Sequence, residues 1–382
     1  MDSTKRFRAF LLILILTLSY CTTSVSSNHH GENQDDGTSK LVGELIDWML
    51  AKGGSMDPRV EMRRWNPQDP TSYFGAFVNA PVKKGELLLK IPGAIKIQVE
   101  DPSIQDDWDY DEQVCQLSWM LKTEYELGDD SDYAPYINYL KAQPFGQIPA
   151  MWSNVGQHLL FEVQGDWSIH DFETQGEGED IVMWLWKSFE PNCMFRNDTL
   201  NPFYIAMAVQ RGYDIALIPV YDMLNHYNGD KVNSITRPSI YDKDGFGVYA
   251  LRDLKAGEEL FYSYHACPDC RDTIDIWGTP EMLRDFGFVE QYPHRFHLKK
   301  NGTIFVDEVV ADDGSKSYVA TCRDGECPRK EWVTEEMEYL QNVERKQIAK
   351  SKSFIPKYEY ETIKQYHKAL TVALDAVLPL CT

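Results

Sequence analysis

Three stretches in the middle of the chain carry the clearest alternation of apolar and polar positions. Ala216 to Tyr227 (ALIPVYDMLNHY) is an apolar run that stops abruptly at Asp222, Asn225 and His226. Gly245 to Leu254 and Ala256 to Tyr264 alternate as half-buried strands do. The pattern predicts a buried strand, a polar elbow, a hairpin and a strand ending in tyrosine. On that last strand Leu260, Tyr262 and Tyr264 share one face, and Phe261 and Ser263 share the other. Asp244-Gly245 is a two-residue turn signal, and Lys255 to Glu259 is a polar turn.

Upstream, Leu41, Val42, Leu45, Ile46, Met49 and Leu50 fall on one face at helical spacing and predict an amphipathic helix. Gly75 to Asn79, Glu86 to Ile91 and Ala94 to Val99 are β-rich runs, punctuated by Lys83-Lys84-Gly85 and Pro92-Gly93; Val60 to Arg64 is too short to assign. Gln113 to Glu126 returns to the helical period, as do Asp180 to Phe189 and Phe203 to Gln210. The span from Asp101 to Asn201 therefore reads as a helical insert within a β-domain, its aromatics Trp184 and Trp186 serving as core. The tail is mainly helical: Trp332, Val333, Met337, Leu340 and Val343 form one face, Ile363 to Val377 another, and Pro356 breaks between them.

These motifs resemble the SET-domain protein methyltransferases, specifically the class with a long helical insert typified by the Rubisco large-subunit and actin-histidine methyltransferases. The resemblance is carried by Asn225-His226, preceded by Leu217-Ile218-Pro219 and Asp222-Met223-Leu224, and by Glu258-Glu259-Leu260-Phe261 leading to Tyr264. It implies an α+β class: a β-rich SET fold with a pseudoknot, an inserted helical subdomain at 101–201 and a short C-terminal helical region. The SET domain would span 41–298 and the C-terminal region 299–382.

By the same resemblance S-adenosylmethionine is the cofactor, Asn225 and His226 hold it, and Tyr264 is the catalytic tyrosine. Tyr262 competes for that role from the same face. Arg211, at the end of a helix, would lie near the donor's carboxylate or the active-site pocket; otherwise it is a helix-terminal arginine facing the dipole. A Gly-x-Gly turn in the family lies against the donor, because glycine lets backbone approach closely. Here it reads Tyr73-Phe74-Gly75, so Phe74 and Gly75 are the cofactor-binding positions and Tyr73 either covers the adenosine or obstructs it.

Composition narrows the partners. Fifty-nine acidic against 38 basic side chains give a formal charge of −21, which opposes nucleic-acid binding and favours a basic protein or peptide substrate. Lys5, Arg6 and Arg8 precede an apolar run from Ala9 to Tyr20 with small residues Val25 to Ser27 after it, a secretory signal over 1–27. About a dozen apolar residues fall short of the roughly 20 that span a bilayer, so no stable membrane span is expected after cleavage. Residues 28–40 read as a flexible linker. Asn197-Asp198-Thr199 and Asn301-Gly302-Thr303 are glycosylation sequons that suit the secretory pathway.

Seven cysteines remain after residue 27, an odd count that in an oxidising compartment leaves at least one thiol unpaired or bonded to another chain. Cys267-Pro268-Asp269-Cys270 supports three readings: a disulfide within the pair or to Cys322 or Cys327, a zinc site shared with His265 and those cysteines, or a redox-active pair. No metal is assigned to the catalytic site itself.

The chemistry implied is methyl transfer to a protein side-chain nitrogen of lysine or histidine. A lysine must first lose its proton, at a cost of about 4 to 5 kcal/mol at pH 7, whereas histidine is largely neutral already. The alternative is a non-catalytic SET-fold module of the secretory pathway, binding a partner or serving a structural role.

Overall fold

The computed structural model describes residues 37–69, 72–99, 110–143, 147–164, 181, 193, 202–213, 216–264, 278–298 and 302–381. The signal, the two sequon asparagines, most of Asp180 to Phe189 and the Cys267–Cys270 pair lie outside them.

The expected first helix is Thr38–Ala51, burying Val42, Leu45 and Met49. Val60–Arg64 proves to be a strand, antiparallel to Phe74–Val78, with Arg63 opposite Gly75. A four-stranded antiparallel sheet runs Ser55–Met56, Leu87–Pro92, Gly245–Ala250 and Ser234–Arg237. The last two form the expected hairpin, but Gly247 pairs with Arg237. Their connection is therefore longer than the two-residue turn suggested by Asp244-Gly245.

Helices Tyr110–Leu127, Ala134–Lys141, Asn154–Gln164 and Pro202–Arg211 fall in or just beyond the expected insert. The first, third and fourth follow apolar stripes; Ala134–Lys141 starts with proline in its first turn, where the missing N–H costs no hydrogen bond. Helix Tyr110–Leu127 packs on Pro202–Arg211. A disulfide from Cys115 to Cys193 ties it to a second point of the insert.

Two apolar cores form among the described residues. One joins helix Thr38–Ala51 and the insert helices to the sheets through Leu45, Leu88, Leu89, Ile91, Leu117 and Leu217. The other joins Asn154–Gln164, Lys330–Val343 and Lys357–Val377 to the three-stranded sheet His294–Leu298, Gly302–Val310 and Lys316–Cys322. That hairpin in the C-terminal region is absent from the helical expectation.

Cys322 bonds Cys327, which removes both the cross-bridge from Cys267 or Cys270 and the shared zinc site. A cysteine already joined to another has no thiolate to give a metal. Among the described residues Cys381 is the free cysteine, no cluster suited to a metal ion occurs, and no helix is long and apolar enough to cross a membrane.

Candidate active site

The elbow Asn225–His226 pairs in parallel with Phe261–Tyr262, Asn225 opposite Phe261 and His226 opposite Tyr262. Parallel pairing of such short segments needs outside support, and Asn233 supplies it. Its side chain donates to the Glu259 carbonyl at 2.7 Å and accepts from the Phe261 N–H at 2.8 Å. On the other side the Leu260 N–H donates to the Ala76 carbonyl at 2.7 Å, so the tyrosine strand is held against the glycine-bearing strand Phe74–Val78.

Asn225 reaches across this junction. Its side-chain amide nitrogen donates to the Phe74 carbonyl at 2.9 Å and to Glu259 Oε1 at 2.6 Å. Gly75 is required here for room: a Cβ added to it would come within 2.8 Å of Asn225 Nδ2 and closer still to Glu259 Oε1. Tyr73 donates its hydroxyl to Glu259 Oε2 at 3.3 Å and stacks on Trp65, with both rings at least half exposed. Burial raises the Glu259 carboxyl, against the opposing pull of its Asn225 and Tyr73 hydrogen bonds and the charge of Arg63.

The His226 imidazole turns the other way. The Tyr264 N–H donates to its Nδ1 at 3.0 Å, which makes Nδ1 an acceptor and leaves the proton of the neutral ring on Nε2, 3.1 Å from Glu290 Oε2. Glu290 also accepts from Asn228 at 2.8 Å and Thr279 at 2.7 Å, and Ser263 donates to Asn228 Oδ1 at 3.0 Å. This buried network fixes the elbow to the segment that carries Tyr264.

Tyr264 donates its hydroxyl to the Leu224 carbonyl at 3.0 Å. Its ring lies 5.0 Å from Tyr262, 5.1 Å from His226 and 4.7 Å from Phe286, and Tyr262 continues to Tyr221 at 4.9 Å. The Tyr213 and Tyr262 hydroxyls are bonded to each other. Burial pushes the Tyr264 phenol up, with Arg211 opposing, so the hydroxyl is protonated at neutral pH and acts as a hydrogen-bond donor.

Arg211 ends its helix beside Asp222 rather than beside Asn225. It donates to the Asp222 backbone carbonyl and to Gln143 Oε1, both at 3.3 Å, and stands 3.7 Å from Asp222 Oδ2. Asp222 Oδ2 accepts from Tyr136 at 2.8 Å, while Asp222 Oδ1 and Arg211 Nε are buried with no hydrogen-bond partner among the described residues. Burial pushes the Asp222 carboxyl up to about 6 despite Arg211.

Phe74, Gly75 and Asn225 thus meet at one end of the elbow, His226 and Tyr264 at the other, and Arg211 faces the Tyr264 side. Sequence reasoning missed Glu259 and Glu290. Glu259 was legible only as part of a polar turn, although strand alternation sets it on the face opposite Tyr264.

A family model for the SET domain matches residues 73–265, from the tyrosine of the glycine turn to the residue after Tyr264. The chain belongs to the SET-domain family. Similar solved structures include the SET domain of LSMT bound to lysine and AdoHcy, at 11% identity and TM-score 0.48, covering 90% of this chain and 91% of that one. Rubisco LSMT bound to AdoMet is similar at 11% identity and TM-score 0.49, with 89% and 91% covered. Rubisco LSMT bound to sinefungin and monomethyllysine gives 12% identity and TM-score 0.48, over 89% and 91%. No curated protein sequence matches the chain.

Proposed function

We propose that this SET domain is an S-adenosylmethionine-dependent protein N-methyltransferase acting on a lysine or histidine side chain of a basic protein or peptide in the secretory pathway. The observation that carries the reading is the meeting of Gly75 and the Asn225 amide at one end of the elbow, with Tyr264 bonded to the imidazole at the other. The Asn225 amide nitrogen is used within the chain while its Oδ1 accepts from no described group, and that acceptor fits the amino-acid end of the cofactor.

S-adenosylmethionine supplies, when bound, a methyl group made electrophilic by its sulfonium. The task left to the chain is positioning and exclusion of water. Asn225 and the His226 backbone would hold the donor. The Tyr264 hydroxyl, fixed at Leu224, would face the acceptor nitrogen, and the rings of Tyr262 and Phe286 packed on Tyr264 would keep water out. Arg211 and Asp222 set the field on that side.

Two disulfides and the charge of −21 support the compartment and the basic partner: bridges persist in oxidising surroundings, and an acidic protein attracts cations. A second reading, a non-catalytic SET-fold module, is favoured by Tyr73, whose hydroxyl bonds Glu259 beside the Asn225 amide.

Tyr264→Phe tests the enzyme reading. The variant is expected to keep wild-type donor affinity and to lose about tenfold or more in turnover on a lysine- or histidine-bearing peptide, the effect of one hydrogen bond. Equal turnover in the variant would remove Tyr264 from the mechanism.

A further inference from the structure

The hairpin of Val60–Arg64 with Phe74–Val78 carries Phe77 on one face and Phe74 on the other, and an arginine of the facing strand covers each ring. Arg63 lies over Phe77 at 3.7 Å and Arg64 over Phe74 at 4.5 Å. Alternation sets Glu61, Arg63 and Trp65 on one face, opposite Phe77, Gly75 and Tyr73. The Trp65 N–H donates to the Tyr73 carbonyl at 2.9 Å, and the two rings stack with their centres 6.2 Å apart across the end of the hairpin.

At this last pair the pattern of covered rings stops. Trp65 is 58% exposed and Tyr73 50%, and among the described residues no cation lies over either ring. Tryptophan attracts a cation best of the aromatic side chains, so the open pair is the strongest such surface on the hairpin and the one left unused. Its geometry is held from below. The Asn66 N–H donates to the Ser72 hydroxyl at 3.1 Å, and that hydroxyl donates to the Asn66 carbonyl at 2.9 Å. Tyr73 also donates to Glu259 Oε2, which sets a carboxylate at the edge of the pair. Rings fixed in advance lose little freedom when a partner lands on them.

We propose that the Trp65–Tyr73 pair is a docking face for a basic segment of a partner protein, taking a lysine or arginine side chain against its rings as Phe77 and Phe74 take Arg63 and Arg64. The chain's charge of −21 draws such a segment in, and the aromatic pair fixes where it lands. The inference needs neither a methyl donor nor an acceptor residue, so it stands or falls apart from the methyl-transfer reading.

Fluorescence anisotropy on the full chain tests it with fluorescein-labelled octa-arginine and its isosteric, uncharged counterpart octacitrulline. Wild type is expected to bind the first and to leave the second free. Trp65→Leu keeps the chain's charge and, at a position more than half exposed, leaves the core intact; it is expected to weaken octa-arginine binding about fivefold or more. Phe354→Leu, which removes a ring 75% exposed elsewhere on the surface, is expected to bind as wild type does. In heteronuclear spectra of wild type the Trp65 indole N–H should shift as octa-arginine is added, which attraction to acidic groups elsewhere does not produce.

Equal affinity in Trp65→Leu and wild type, an equal loss in Phe354→Leu, or a Trp65 indole that does not shift would overturn the docking face. So would octacitrulline binding as tightly as octa-arginine, or a wild type that binds neither peptide.

Discussion

Converting Cys115 and Cys193 to serine is expected to cost about 4 kcal/mol of stability, because the bridge joins residues 78 apart and the unfolded-state entropy it removes grows with loop length. The Cys322–Cys327 bridge spans only five residues, so of the two bonds among the described residues the first contributes more. Cys115 is buried on the helix that packs against Pro202–Arg211, the helix that ends in Arg211. Losing the bond should therefore loosen the Arg211–Asp222 side of the site as well as the fold. Urea unfolding with and without reductant measures this: the wild-type midpoint should fall on reduction, and wild type and double variant should share one midpoint when both are reduced. A midpoint indifferent to reductant would show that the bond contributes nothing.

Gly75→Ala is expected to weaken donor binding strongly. The new methyl would push into Glu259 and the Asn225 amide, both held by other hydrogen bonds and unable to retreat freely. Overpacking of this kind costs about 1 to 3 kcal/mol in stability. Because the displaced groups are those that would hold the donor, affinity for S-adenosylhomocysteine should fall by more than stability alone explains, about a hundredfold if the Asn225 contacts are lost. A variant that melts near wild type and binds equally well would refute the role of the close packing of Gly75 against Asn225 and Glu259.

The elements legible in the sequence are those whose chemistry is local. The helix Thr38–Ala51 shows its buried stripe directly, and the break at Pro356 falls at the N-terminus of Lys357–Val377 because proline cannot continue a helix. Asn225-His226 was legible because a polar pair interrupts an apolar run, a pattern that packing alone does not require. What escaped was set by distant partners. Nothing near Cys115 or Cys193 in the sequence announces the other, and Glu259 gains its meaning only from Gly75 and Asn225. The hairpin Gly302–Val310 with Lys316–Cys322 was hidden because Val309, Val310 and Val319 are exposed, which blurs the alternation of apolar and polar positions.

The central claim is that the Asn225 elbow, closed by the Gly75 turn and the Tyr264 strand, binds a methyl donor. Calorimetric titration of S-adenosylmethionine into wild type beside Asn225→Ala tests it most directly. Saturable heat at one site in wild type, lost in the variant, is the predicted result. No saturable heat in the folded wild-type protein would contradict the account and leave the non-catalytic SET-fold module.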